Sequence, residues 1–259
     1  MTYDQTLIVI RERSFLELVD LGLVVARDRP IVLFVAALAG IAPLAALNIW
    51  LLSEEAFSQV YWVVLLLVEA PWATAPLTLV LGDLMFGLRP RPGRILKGLA
   101  VALPKLVLTQ LVFRGLLVFI VIGYSLVPSQ YAFLSEVVLL ERVGAFRSLR
   151  RASALSRGFR GELFMRWLGQ IALGLTFALC FQAGVTSLGS VMVGGKLTWV
   201  QPALSDVGGL LFQAAVWIAI AFFAIVRFLS YIDRRIRLEG WEIELRLKMV
   251  GRALEERLL

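Results

Sequence analysis

The chain has 259 residues, of which 59% are hydrophobic and only 17% are charged. Soluble domains are about 45–50% apolar and about 25% charged, so this composition predicts a polytopic membrane protein rather than a soluble domain. The net charge of +7 would suggest nucleic acid in a soluble protein. Here the basic residues flank apolar runs, where lysine and arginine mark cytoplasmic loops, and no nucleic-acid partner is expected.

Catalytic chemistry has few candidate residues in this sequence. The chain contains no histidine, which is the usual general base, proton shuttle and metal ligand of enzymes. Its single cysteine, Cys180, lies in an apolar run and has no second cysteine for an intrachain disulfide. Zinc, haem and copper sites are therefore not expected, and we predict a protein that is not an enzyme and has no cofactor.

The N-terminal region predicts an interfacial helix. The first residues lack the features of a cleavable signal peptide, so the first span is expected to act as the insertion signal. Ser14 and Glu17 have the spacing of a capping box. The pattern that follows is amphipathic and ends before Pro30, which predicts a helix over residues 14–29 in the inner membrane interface.

Apolar runs of about 20 residues predict membrane spans. We predict six of them within a single all-α membrane domain of residues 1–259, at about residues 31–52, 57–85, 95–127, 129–141, 163–184 and 206–231. Pro71 and Pro76 predict a kink in the second span.

The short fourth run decides the topology. If residues 129–141 do not cross the membrane, the last two spans invert. A crossing helix of this length needs a thinned bilayer or burial among its neighbours. The distribution of lysine and arginine favours six spans with both termini in the cytoplasm.

A basic hinge helix is predicted over residues 143–160, where only Glu141 and Glu162 oppose a dense group of arginines. These arginines either mark the cytoplasmic side and pack at the interface, or bind anionic lipid headgroups or an acidic partner. The arginines assigned to this role are Arg142, Arg147, Arg150, Arg151, Arg157 and Arg160.

The C-terminal residues 232–258 predict a cytoplasmic amphipathic helix. Its acidic and basic side chains nearly balance and recur four residues apart. This balance favours a packed helix with a docking surface over adsorption to lipid. The residues assigned to docking are Arg234, Arg235, Arg237 and Trp241.

Two ionisable residues lie deep in predicted spans, Glu69 in the second and Arg114 in the third. Their depths match at about 18–20 Å from the outer helix ends, counting ~1.5 Å per residue, so we predict an intramembrane ion pair. The pair either fastens two helices or forms a pore or substrate site. Another partner for Arg114, such as Glu136, stays open.

Three segments resemble a group of uncharacterised bacterial multi-pass proteins, namely SFLELVDLGLVVARDRP, VVLLERVGAFRSLRRASALSRGFRGELF and YIDRRIRLEGWEIELRL. The group is similar to the membrane domain attached to some glycerophosphodiester phosphodiesterases. The resemblance implies six helices and a bacterial inner membrane. It does not extend to phosphodiesterase catalysis, which needs histidines that this chain lacks.

The sequence as a whole predicts a non-catalytic subunit or scaffold of a larger bacterial membrane assembly. Its expected partners are anionic lipid headgroups at the inner face and other membrane proteins, contacted through the hinge and the tail. The alternative is a transporter or permease-like protein with Glu69 and Arg114 at its centre.

Overall fold

The computed structural model describes residues 13–53, 59–85, 90–114, 126–141, 143–192 and 209–258. Within these ranges the chain forms helices and turns without any strand, which confirms the all-α class. The helices are α1 (Phe15–Asp28), α2 (Pro30–Ser53), α3 (Gln59–Ala73), α4 (Ala75–Met85), α5 (Pro92–Leu106), α6 (Leu126–Gln130), α7 (Leu134–Leu140), α8 (Ala145–Ser156), α9 (Arg160–Met192) and α10 (Leu210–Leu258). Helix α5 continues into a π-helical segment at Val107–Arg114.

Four helical stretches are long and apolar enough to cross a membrane. They are Pro30–Leu51, Trp62–Met85, Arg160–Met192 and Leu210–Leu238. These stretches overlap the predicted first, second, fifth and sixth spans, and they indicate a protein embedded in a membrane. In their most apolar windows, 56% of the residues are buried in α3–α4 but only 11% in α9. The α3–α4 span is therefore central, while most of α9 faces outward.

Two of these helices are longer than predicted. Helix α9 continues to Met192 instead of ending near residue 184. In this extension the hydroxyl of Thr186 donates to the Gln182 carbonyl at 2.9 Å. Because the preceding turn satisfies such hydroxyls, polar residues do not end the helix. The last span and the tail form one helix, α10, since no proline interrupts it.

The second span is broken at Thr74, where α3 ends and α4 begins. The break lies between Pro71 and Pro76, which lack the amide that an uninterrupted helix needs, and the predicted kink stays a prediction. The hydroxyl of Thr74 donates to the Ala70 carbonyl at 2.8 Å, which satisfies a polar group at the break.

Gly40 of α2 packs directly against this break. A Cβ at Gly40 would overlap the carbonyl oxygen of Ala73 and would lie 3.0 Å from Cδ of Pro76. Only a residue without a side chain allows two helix backbones to come this close. Gly40 therefore sets the crossing of α2 with the central span.

The predicted third and fourth spans differ from simple crossing helices in the described residues. Helix α5 and its π-helical segment cover residues 92–114 of the predicted span 95–127, while residues 115–125 lie outside the described ranges. Pro104 lies three residues before the π-helical segment, and a proline that disturbs the backbone ladder is an ordinary cause of such widening.

The predicted span 129–141 consists of the end of α6, a turn and α7. A helix of seven residues such as α7 rises only ~10 Å, about a third of a bilayer core of ~30 Å. All residues from Phe133 to Leu139 are buried. Irregular backbone at membrane depth is tolerated when protein surrounds it in this way. The six-span topology stays a prediction.

Helix α1 begins with the predicted capping box. The Ser14 amide donates to Glu17 Oε2 at 3.1 Å, and the Glu17 amide donates to Ser14 Oγ at 3.3 Å. Its buried side packs on α10, where a Cβ at Gly22 would lie 3.0 Å from Val226. Helix α1 is thus attached to the last span at one of its glycines.

Candidate functional site

Glu69 lies in the central span and is 5% exposed. Its Oε2 accepts a hydrogen bond of 2.7 Å from Nδ2 of Asn48, which belongs to α2 and is fully buried. The side chain of Arg114 lies outside the described residues, so the predicted Glu69–Arg114 pair stays a prediction. Glu69 does fasten the first two spans, whatever its other partners.

A buried ion pair joins Glu136 of α7 to Arg227 of α10. Nε of Arg227 donates to Oε1 of Glu136 at 2.5 Å, and Nη2 lies 3.4 Å from the hydroxyl of Thr74. Glu136 has no exposed surface, whereas 25% of the Arg227 side chain is exposed. Removing either partner would leave an uncompensated charge in a low-dielectric interior.

Sequence reasoning missed this pair, although both residues carried a signal. Glu136 interrupts an apolar run, and Arg227 lies inside the last predicted span. An ionisable residue in such a run usually pairs with another polar or charged group inside the protein. The sequence suggests Glu136 only as an alternative partner of Arg114, and it suggests no partner for Arg227. Helical periodicity does not reveal which faces of two distant segments meet.

A cavity of about 680 Å³ lies beside this ion pair. Its wall is formed by α3, the π-helical segment, α6, α7, α9 and α10. The polar residues in the wall are Gln110, Ser135, Arg166, Gln170, Arg227 and Ser230. Large apolar residues in the wall include Trp62, Leu66, Phe212, Val216, Ile220 and Phe223.

The cavity has a polar end and an apolar end. At the polar end, Nη1 of Arg166 donates to Oγ of Ser230 at 3.0 Å, and Arg227 lies one turn before Ser230 on the same face of α10. At the apolar end, the rings of Trp62 and Phe212 are 6.0 Å apart. Arg227 and Phe212 are separated by roughly 22 Å along α10.

The hinge helix α8 presents a basic surface to solvent. Its inner face is formed by the buried residues Ser148, Ala152, Leu155 and Ser156. Its outer face and the start of α9 carry the exposed side chains of Phe146, Arg147, Arg150, Arg157 and Arg160, which we call the basic surface. None of these four arginines forms an ion pair within the described part of the chain.

Arg151 differs from the other predicted hinge arginines because it is used inside the protein. Its Nε donates to Oε2 of Glu141 at 3.0 Å, and the Tyr231 hydroxyl donates to Oε1 of Glu141 at 3.0 Å. This network connects α8, the end of α7 and α10. Arg142, the remaining predicted hinge residue, lies outside the described ranges.

Arg234 of the tail holds the C-terminal end of α8. Its Nε and Nη2 donate to the carbonyls of Leu155 and Arg157 at 3.1 and 3.2 Å. Its guanidinium carbon lies 3.4 Å from the ring centroid of Phe159. A cation suits a helix C-terminus, where carbonyls lack intrahelical partners. The chain then turns at Gly158, whose φ of +84° favours glycine.

The other predicted tail residues occupy different environments. Arg237 pairs with Asp233 at 2.6 Å on α10. Arg235 is half-buried and lies beside the Tyr231 hydroxyl. Trp241 belongs to α10, but its side chain lies outside the described residues. The first tail residues therefore join the hinge to α10 instead of extending freely.

In the part of the chain that the structure describes, no three histidine, cysteine, aspartate or glutamate residues lie close enough to hold a metal ion. The chain matches no protein-family model, no curated protein and no solved structure. The resemblance to the membrane domain of some glycerophosphodiester phosphodiesterases therefore stays a prediction.

Proposed function

We propose that this protein is a non-catalytic subunit or scaffold of a larger membrane assembly in a bacterial inner membrane, with the basic surface facing the cytoplasm. The observation that carries the proposal is the contrast between the hinge arginines. Arg151 is committed to an internal network with Glu141, whereas Arg147, Arg150, Arg157 and Arg160 have no acidic partner in the described residues. Unpaired arginines on a fixed surface favour an anionic partner outside the protein.

The base of this surface is held by hydrogen bonds to neighbouring helices, which supports docking. Arg234 attaches the end of α8 to α10 through two carbonyls, and Glu141 attaches the middle of α8 through Arg151. A surface held in this way loses little conformational freedom when a partner binds, and such preorganisation favours affinity. Phe146, which is 79% exposed beside the arginines, adds an apolar anchor of the kind found in interfaces.

The proposal predicts a second protein in the native particle. We expect extraction from native membranes in mild detergent, followed by mass analysis of the intact particle, to yield this chain with a stoichiometric membrane-protein partner. Replacing Arg147, Arg150, Arg157 and Arg160 by glutamine should release the partner, because its acidic groups lose their counter-charges.

The matched control replaces three exposed basic residues elsewhere by glutamine, Arg27, Arg91 and Lys97. This control should keep the partner. A lone monomer or homodimer from the wild-type chain, or a partner that survives loss of the basic surface, contradicts the proposed docking.

The cavity supports the permease-like alternative, but it does not lie at Glu69, the residue predicted to be at the centre of such a protein. A water-filled path that reached Glu69 would favour transport. Glu69 instead bonds to Asn48 and is not among the described residues that line the cavity. We therefore prefer the scaffold and treat the cavity as a separate site.

A further inference from the structure

We infer that the central cavity binds a single-chain anionic lipid, with the lipid carboxylate at the Arg166–Arg227 end and the acyl chain along the apolar wall. This inference does not depend on the scaffold proposal. It rests on the guanidinium donors at one end of the cavity, on the length and chemistry of the wall, and on the volume.

The polar end offers guanidinium groups as hydrogen-bond donors. Arg227 exposes a quarter of its side chain, and its Nη1 makes no hydrogen bond within the described part of the chain. No aspartate or glutamate is among the described residues that line the cavity. An anionic group at this position would accept a hydrogen bond from Nη1 of Arg227, which the described residues leave unused.

The two glutamates that neutralise these arginines lie outside the cavity wall. Glu136 is fully buried and is not among the described residues that line the cavity, and Glu162 pairs with Arg166 at 2.5 Å from a half-exposed position on α9. They orient the guanidinium groups. The described residues of the wall itself include no carboxylate. A planar guanidinium that is fixed in this way suits the two oxygens of a carboxylate.

The rest of the wall suits an acyl chain. Apolar side chains from α3, α9 and α10 continue for roughly 22 Å from Arg227 to Phe212. A methylene group is close to a water molecule in size, and one water occupies ~30 Å³ of liquid. The cavity of about 680 Å³ therefore has room for one long chain and its headgroup.

Ligand titration of the purified full-length chain distinguishes a site specific for an anionic headgroup from a crevice that any lipid tail could fill. We would titrate palmitate, hexadecanol and hexadecyltrimethylammonium, which share a chain and differ in headgroup charge. We expect palmitate to bind at least about tenfold more tightly than the other two, because only its carboxylate forms a charge-assisted hydrogen bond with a guanidinium group. Equal binding of all three would overturn the inference.

The paired variant Glu136→Gln/Arg227→Gln removes the cation without leaving a buried carboxylate behind. Palmitate should bind about tenfold more weakly to it, while hexadecanol binding stays unchanged. The matched control is Asp83→Asn/Arg94→Gln, an ion pair of 3.2 Å whose residues do not line the cavity. An unchanged palmitate preference in Glu136→Gln/Arg227→Gln would overturn the inference.

Two tryptophans in the wall test the orientation without altering any charge. Trp167 is adjacent to Arg166 at the polar end, and Trp62 lies at the apolar end. Bromine quenches nearby indole fluorescence. Palmitate brominated next to its carboxylate should quench tryptophan fluorescence in the wild-type chain but not in Trp167→Phe. Palmitate brominated at its far end should quench the fluorescence of the wild-type chain and of Trp167→Phe, but not of Trp62→Phe. The reverse pattern, or quenching that neither variant changes, would contradict the assigned site.

Discussion

Replacing Arg227 by methionine is expected to lower the free energy of unfolding by about 3–5 kcal/mol. The change leaves the Glu136 carboxylate buried, with no exposed surface and without the donor that lies 2.5 Å away. The variant Glu136→Leu/Arg227→Met should recover most of this loss, since a buried ion pair replaced by apolar side chains is often neutral or stabilising. Reversible unfolding of the purified chain in mixed micelles measures both effects.

The control for this prediction is Arg29→Met. Arg29 pairs with Asp28, and the two side chains are 62% and 74% exposed. Exposed pairs contribute ~0–1 kcal/mol, so this variant should stay close to the wild type. Additive losses in Glu136→Leu and Arg227→Met, with no recovery in the double variant, would show that the two residues do not act as a pair.

Replacing Gly40 by alanine should be nearly as damaging, at about 3 kcal/mol, the upper part of the range for overpacking. The added methyl group would overlap the carbonyl oxygen of Ala73 and approach its carbonyl carbon to 2.9 Å. Backbone atoms cannot move aside as a flexible side chain can, so α2 and the central span must separate. Thermal unfolding should show a much lower melting temperature for Gly40→Ala than for the wild type.

Gly184→Ala provides the matched control, because nothing lies within 4 Å of a Cβ at Gly184 in α9. Alanine favours a helix over glycine by roughly 0.5–1 kcal/mol, so this variant should be neutral or slightly more stable. Similar melting temperatures for Gly40→Ala and Gly184→Ala would refute the close contact of α2 with the break at Thr74.

The features that follow from local patterns were predictable. Apolar length located four spans, Pro71 and Pro76 located the break in the central one, and Ser14 with Glu17 located the start of α1. Each depends on residues that are close in sequence, where helix geometry fixes which side chains meet.

The pairing of distant residues was not predictable in the same way. Glu136 and Arg227 are 91 positions apart, and depth along a helix does not determine the direction in which a side chain points. Glu69 illustrates this limit, because matched depth suggested Arg114 whereas the described contact is with Asn48 of α2. The roles of Arg151 and Arg234 likewise depend on how α8 rests on α10, which a basic stretch of sequence does not specify.

The central claim is that the basic surface lies at the cytoplasmic face and that α9 crosses from it to the opposite side. Single cysteines in a Cys180→Ser background test this most directly, at Ala154 beside the basic surface and at Met192 at the far end of α9, both exposed. In intact cells a membrane-impermeant maleimide should label the Met192→Cys variant. The Ala154→Cys variant should react only after the cells are opened. Labelling of Ala154→Cys in intact cells would contradict the orientation and, with it, the proposed docking of cytoplasmic-side partners.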